Sequence, residues 1–241
     1  MEKRQETLLV KTYHCRPDGR MKIHVLMHRL QEIAAAHAQT LGLGIQWLSE
    51  MDCCWVLSNF VMEIARMPRW DETVTLQTWP SGHNRLIATR EFMGHAADGS
   101  ELLRAGSQWM ILNRKTGRPI NLAKLTPPLP GDAEKVISPS LERLEPPADC
   151  EYSETIRVPY SAIDMNGHVN NTEYVRWGMD VLQRRLRTGP DVRRLQITYL
   201  SEVFEDDNLE LSALAVGLRR YMVTGRKAAD HAMVYLMQVE C

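Results

Sequence analysis

The chain is poor in cysteine, carries no excess of either charge and has no long apolar run. Its five cysteines among 241 residues, Cys15, Cys53, Cys54, Cys150 and Cys241, are odd in number and irregularly spaced. They include no CxxC pair, which argues against a disulfide framework and a cysteine zinc site; reduced thiols in a cytoplasmic protein are expected. Lysine plus arginine number 29 and aspartate plus glutamate 30, a formal net charge of −1. A dedicated nucleic-acid binder usually shows a strong basic excess, so no nucleic-acid partner is expected. No stretch approaches the ~20 apolar residues of a membrane-spanning helix, and Met1 to Arg20 lacks the apolar centre of a signal peptide. Neither GxSxG, a phosphate loop, GxGxxG nor HExxH occurs, which leaves serine hydrolase, NTPase, dinucleotide and zinc protease readings without their signatures.

What is present is an ordinary globular composition, 44% hydrophobic and 24% charged. Six of the twelve prolines, Pro127, Pro128, Pro130, Pro139, Pro146 and Pro147, fall together. Proline removes backbone donors, so residues 126–150 are expected to link two folded units, 1–125 and 151–241. A short helical turn fits around Ser140 to Leu144. In the first unit a strand-like run, Thr7 to His14, precedes a helix with Leu26, Leu30, Ile33, His37 and Leu41 at spacings of three and four. Gly42 and Gly44 end it. Four strand-like runs follow, Cys54–Ile64, Glu72–Trp79, Arg85–Ala96 and Glu101–Asn113. Turns are expected at Pro80-Ser81-Gly82, Asp98-Gly99 and Lys115-Thr116-Gly117.

The second unit repeats this order. A strand, Tyr152–Val158, precedes a helix from about Asn170 with Tyr174, Trp177, Val181, Leu182 and Leu186 inward. Strands are expected at Leu195–Phe204, Leu209–Val216, Leu218–Val223 and His231–Val239, with the last hairpin at Thr224-Gly225. Phe60 to Glu63 lines up with Tyr199 to Glu202, which supports a duplication. A sheet curled around one amphipathic helix buries its apolar stripe. That is the hotdog fold, and two copies make an α+β double hotdog. An α+β protein with two unrelated sheets is the plainer alternative.

Asp164, Asn166 and His168 alternate along the chain, and alternate side chains of an extended segment point to one side. Asn170 is suited to cap the following helix, with Glu173 three residues on completing a capping-box pattern. Free N–H groups beside a carboxylate, an amide and an imidazole suit an oxyanion. A polar loop that only caps a helix would explain the asparagines at 170 and 171, but not the alternating trio.

From Asp164 to Tyr174, with Trp177 on the helix beyond, the sequence resembles the acyl-[acyl carrier protein] thioesterases of plants and bacteria. Gly19 to Lys22, Leu30 to Ala38, Trp55 to Leu57, Ile64 to Pro68, Asp71 to Val74, Thr78 to Gly82, Arg90 to Phe92 and Ser107 to Trp109 extend the resemblance over nearly the whole chain. With no plastid transit segment before Met1, the expectation is a bacterial cytoplasmic member. The resemblance implies a double hotdog that hydrolyses fatty acyl-ACP to free fatty acid and holo-ACP, terminating fatty acid synthesis. It implies catalytic roles for Asp164, Asn166, His168 and Glu202. Where some members carry a cysteine after that glutamate this chain has Val203, so no thiol nucleophile is available there. Either Glu202 or His168 serves as general base, and carboxylate attack through an anhydride stays open.

The first unit has no Asp-x-Asn-x-His; Asp18-Gly19-Arg20 stands at its helix start. Its helix and strands are left to wall an acyl pocket, with Leu26, Leu30, Ala34, Trp55 and Leu57 as candidates against a plain core role. His24 and His28 lack a third ligand, so no metal is expected, nor any cofactor. The expected partner is an acyl carrier protein bearing a fatty acyl chain, without nucleic acid or membrane insertion; homodimer formation stays open. Acyl-CoA hydrolysis at the same site and a non-catalytic acyl-binding regulator are the alternatives. Arg184, Arg185, Arg187, Arg193 and Arg194 either complement the helix C-terminus or dock the acidic carrier.

Overall fold

The computed structural model describes residues 3–131, 134–137, 144–147 and 150–241. The chain divides into two compact units, Met1–Leu141 and Glu142–Cys241.

The first unit is built from β1 (Arg4–Leu9), α1 (Ile23–Thr40), α2 (Ile45–Glu50), β2 (Cys53–Ile64), β3 (Thr73–His83), β4 (Ala88–Ala96) and β5 (Glu101–Asn113). The strands pair antiparallel in the order β1-β3-β4-β5-β2. The three-and-four spacing of Ile23, Leu26, Met27, Leu30, Ile33, Ala34 and His37 places all seven on the buried stripe of α1. Each fully buried Leu or Ile contributes about 1.5–3 kcal/mol, enough to hold an 18-residue helix on its sheet.

In the second unit β6 (Tyr152–Arg157) precedes α3 (Asn171–Leu186), followed by β7 (Arg194–Tyr199), β8 (Asn208–Gly217), β9 (Arg220–Lys227) and β10 (Met233–Glu240). The antiparallel order is β7-β10-β9-β8-β6. Tyr174, Val175, Trp177, Val181 and Leu182 of α3 are buried; Leu186, at the end, is only half-buried. Gly178 lets the helix approach β10, since a Cβ there would lie 2.4 Å from Met237 Cε. Each unit is a hotdog, and the chain is a double hotdog.

Several element boundaries differ from the sequence reading. The first strand is Arg4–Leu9, and Thr12–His14 forms a 3-10 turn with a buried His14. The sequence reading did not anticipate α2. Pro80-Ser81-Gly82 is not a turn: β3 passes through it with a bulge, and the chain reverses where Asn84 Oδ1 accepts the N–H groups of Leu86 and Ile87. β7 stops at Tyr199 rather than Phe204. Thr224-Gly225 lies inside β9, because Gly225 packs beneath the ring of Tyr235; a Cβ there would sit 2.3 Å from Cε1. The β8–β9 reversal is at Leu218-Arg219 instead.

Part of the proline-rich segment packs on the first unit. Trp79 Nε1 donates to the Glu134 carbonyl at 2.7 Å, and the Val136 N–H donates to the buried Glu91 carboxylate at 3.2 Å. Leu144 packs with Met222 and Leu236 of the second unit. Residues 140–143 of the expected helical turn lie outside the described residues. Among the described residues, no helix is long and apolar enough to cross a membrane.

Candidate active site

Asp164, Asn166 and His168 do not lie in extended chain. They sit on a tight turn closed by the Ile163–Val169 bridge, with the Asp164 N–H donating to the His168 carbonyl at 2.8 Å and the Gly167 N–H to the Asp164 carbonyl at 3.0 Å. Gly167 takes φ +81°, which a glycine adopts without strain. Asp164 Oδ1 accepts the Asn166 N–H at 2.7 Å, so this carboxylate organises the turn. The trio's grouping comes from the turn, not from strand alternation.

The turn leads into α3. Asn170 is its N-cap, accepting the Thr172 N–H at 2.9 Å. No capping box forms. The Asn170 N–H is already given to the Ala162 carbonyl, and the Glu173 carboxylate turns to Arg176 instead, 2.7 Å from Nε.

Glu202 lies in the loop after β7, not on a strand. The Val169 N–H donates to the Val203 carbonyl at 3.0 Å and so ties this loop to the turn. His168 Nε2 and Glu202 Oε2 are 3.8 Å apart, and both side chains reach solvent. That separation suits an ion pair or a bridging water better than a direct hydrogen bond. Phe204 packs edge-on against the imidazole, ring centroids 5.1 Å apart, and fixes its plane.

Below the turn lies an aromatic cluster. Tyr174 contacts Trp177, Tyr199 and Tyr235 at centroid distances of 5.4 to 5.8 Å. The Tyr199 hydroxyl donates to the Asn171 carbonyl at 3.0 Å and holds the first turn of α3. Burial, then the carboxylates of Glu202 and Asp164, push the Tyr174 pKa up, so this phenol stays protonated beneath the site. Sequence reasoning missed Phe204, two residues beyond Glu202, as a site residue. Its only signal was a large apolar side chain in a polar loop.

The first unit holds an apolar cavity of about 130 Å³. Of the five pocket candidates, Ala34 and Trp55 line it. Leu26, Leu30 and Leu57 do not: they are closed off in the core at 0–2% exposure. Arg90, absent from the sequence-derived candidates, also lines it. Its Nη1 donates to Thr78 Oγ1 and meets His37 Nδ1, each at 3.2 Å. Burial lowers the Arg90 pKa to about 10, leaving it cationic at neutral pH. Burial and the Arg90 charge lower His37 to about 4, so the neutral ring accepts that contact. Among the described residues, no three His, Cys, Asp or Glu side chains converge as metal ligands would.

Residues 2–125 match the family model of the acyl-ACP thioesterase N-terminal domain, and residues 146–232 that of the C-terminal domain. The chain belongs to the acyl-ACP thioesterase family. Among solved members, an acyl-ACP thioesterase from Bacteroides thetaiotaomicron is 27% identical, with a TM-score of 0.84 over 99% of this chain and 97% of that one. The 12:0-ACP thioesterase from Umbellularia californica shares the fold at 21% identity, with a TM-score of 0.87 over 99% of this chain and 96% of the other. The chloroplastic oleoyl-acyl carrier protein thioesterase 2 of Arabidopsis thaliana is 26% identical over 84% of this chain and 60% of its own length. This acyl-ACP thioesterase family member thus spans about half to three-fifths of the curated plant relatives it matches.

Proposed function

We propose that the protein hydrolyses the thioester of fatty acyl-ACP, releasing a fatty acid and holo-ACP. The observation that carries this reading is the approach of His168 and Glu202, from separate loops, to 3.8 Å beside the N-terminus of α3. Water held between them attacks the thioester carbonyl carbon. One member of the pair takes the water proton as general base while the other orients the water, and the negative charge develops on the former carbonyl oxygen. Asn166 and the positive end of the α3 dipole stabilise the tetrahedral oxyanion. Collapse expels the carrier thiolate, which regains the proton from the same base. Asp164 keeps His168 in place by organising the turn. The cavity of the first unit takes the acyl chain, against Ala34 and Trp55.

The test is the release of free thiol and fatty acid from acyl-ACP by the purified protein, with the matching acyl-CoA in parallel. Hydrolysis of acyl-ACP, strongly preferred over acyl-CoA and lost in His168→Ala, supports the reading. Wild-type protein without thioesterase activity overturns it. Faster turnover of acyl-CoA assigns the site to the other carrier.

A further inference from the structure

The cavity of the first unit is not a uniform hydrocarbon pocket. Trp55 and Trp109 line it, but their indole N–H groups are committed, to the Leu43 carbonyl at 3.2 Å and to Ser107 Oγ at 2.8 Å. The polar lining side chains are Gln31 and Arg90. A guanidinium offers five N–H donors in a planar fork. Arg90 spends only Nη1, on His37 and Thr78, leaving Nε and Nη2 without a partner among the described residues. No carboxylate lies within ion-pair distance of it among them, and the side chain is half-buried, so these donors keep access to water. A methyl-ended chain filling this cavity would strip the remaining donors of water and return nothing.

We infer that this cavity selects acyl groups bearing an acceptor oxygen on the chain, a hydroxyl, keto or carboxylate group, which Arg90 binds through its unused N–H groups. The inference rests on the thioesterase reading for the identity of the ligand as an acyl group. Apolar walls with a few placed donors are the usual design of a selective small-molecule site.

The probes are acyl-pantetheine thioethers of one chain length, ending in methyl, hydroxyl or carboxylate. They cannot be hydrolysed, so calorimetric titration reads the cavity independently of catalysis. Wild-type protein should bind at least one oxygenated probe about tenfold or more tightly than the methyl-ended one, as expected for a hydrogen bond to a charged group. The better of the hydroxyl and carboxylate arms says whether the selected oxygen is neutral or anionic. Arg90→Met should abolish or invert the preference, and Arg90→Lys should retain part of it. Equal binding of all three probes by the wild type overturns the inference, as does an undiminished preference in a folded Arg90→Met protein. Thioester hydrolysis, measured separately, tests the function: active protein with indifferent probe binding sinks only this inference.

Discussion

Met67 occupies in the first unit the position that Glu202 holds in the second. The Met21 N–H donates to the Pro68 carbonyl as the Val169 N–H does to the Val203 carbonyl. The Ala65 and Arg66 N–H groups share the Leu102 carbonyl, as those of Leu200 and Ser201 share the Val234 carbonyl. The preceding turns also match, Arg16 for Asp164, Asp18 for Asn166 and Arg20 for His168, each closed by a bridge and an aspartate side chain accepting an N–H two residues on. The duplication therefore kept the backbone and exchanged every reactive group. Glu63, which the sequence alignment paired with Glu202, sits on β2 opposite Arg104.

Hydrolysis should consequently depend on one unit's carboxylate only. Glu202→Gln removes a proton acceptor and should lower kcat by about 10²-fold or more. Met67→Gln and Glu63→Gln should leave turnover of acyl-ACP within about twofold, with any change confined to stability. Comparable loss in Glu63→Gln and Glu202→Gln would contradict a single site in the second unit.

His168→Ala should separate activity from stability. The imidazole is partly solvent-exposed, and its main packing contact is the edge of Phe204. Losing that contact costs about 0.5–1.5 kcal/mol, while removal of a general base or water-orienting partner costs about 10²-fold or more in rate. Urea unfolding beside single-turnover hydrolysis checks both. An unfolded variant, or a folded one with wild-type turnover, would refute this division of roles.

Asp164 combines a structural and a chemical duty, which two substitutions pull apart. Asp164→Ala deletes the acceptor for the Asn166 N–H and should destabilise by about 1 kcal/mol while reducing kcat. Asp164→Asn keeps an acceptor oxygen there and should recover most of the stability. If it also recovers kcat, the carboxylate charge has no part in the chemistry.

The limits of the sequence as a guide follow from what a local pattern encodes. The two long helices were legible because the apolar spacing of Leu26, Leu30 and Ile33, and of Tyr174, Val181 and Leu182, records burial directly; α2 buries no residue and left no such pattern. Strand ends were not, because proline and glycine at 80–82 signal a turn equally well when they form a bulge. The trio at 164–168 was visible as residue types, but its geometry depends on the positive φ of Gly167 and the bridge to Val169. Leu26, Leu30 and Leu57 do not line the cavity, because periodicity marks a side chain as inward without saying whether it meets space or packing. Arg90, named only within the resemblance, was absent from the pocket candidates for the converse reason: a charge in a strand reads as solvent-facing until the fold surrounds it.

His37 should make the fold acid-sensitive. Its pKa falls from 6.5 to about 4 through burial, the Arg90 charge and, less, Arg4. The unfolded chain therefore binds a proton between about pH 6.5 and 4 that the folded chain refuses. The stabilisation is complete above about pH 6.5 and fades as pH falls towards 4, by roughly 3 kcal/mol at most. His14, lowered chiefly by burial, acts in the same direction. Urea midpoints measured across this range should rise with pH in the wild type. His37→Gln keeps an acceptor for Arg90 without titrating and should flatten the slope; an unchanged slope would remove His37 as its source.

The arginines at the end of α3 are less available to an acidic carrier than their number suggests. Arg184 is paired with Glu154, and Arg185 with Glu151, 2.9 Å from its Nε, while also lying over the Tyr221 ring at 5.3 Å. Arg193 reaches Asp191 at 3.8 Å. Cations already paired present little net field, and exposed pairs are screened within ~8 Å at physiological ionic strength. Carrier docking through this cluster would appear as a salt-sensitive rise in KM for acyl-ACP alone when the charges are reversed. The pairing predicts otherwise. Arg184→Glu combined with Arg185→Glu places like charges beside Glu154 and Glu151 and should lower the unfolding midpoint. Kinetic losses should be equal for acyl-ACP and a small acyl-pantetheine thioester. A KM increase confined to acyl-ACP, reproduced in the wild type by added salt, would show that the carrier breaks these pairs on binding and docks there after all.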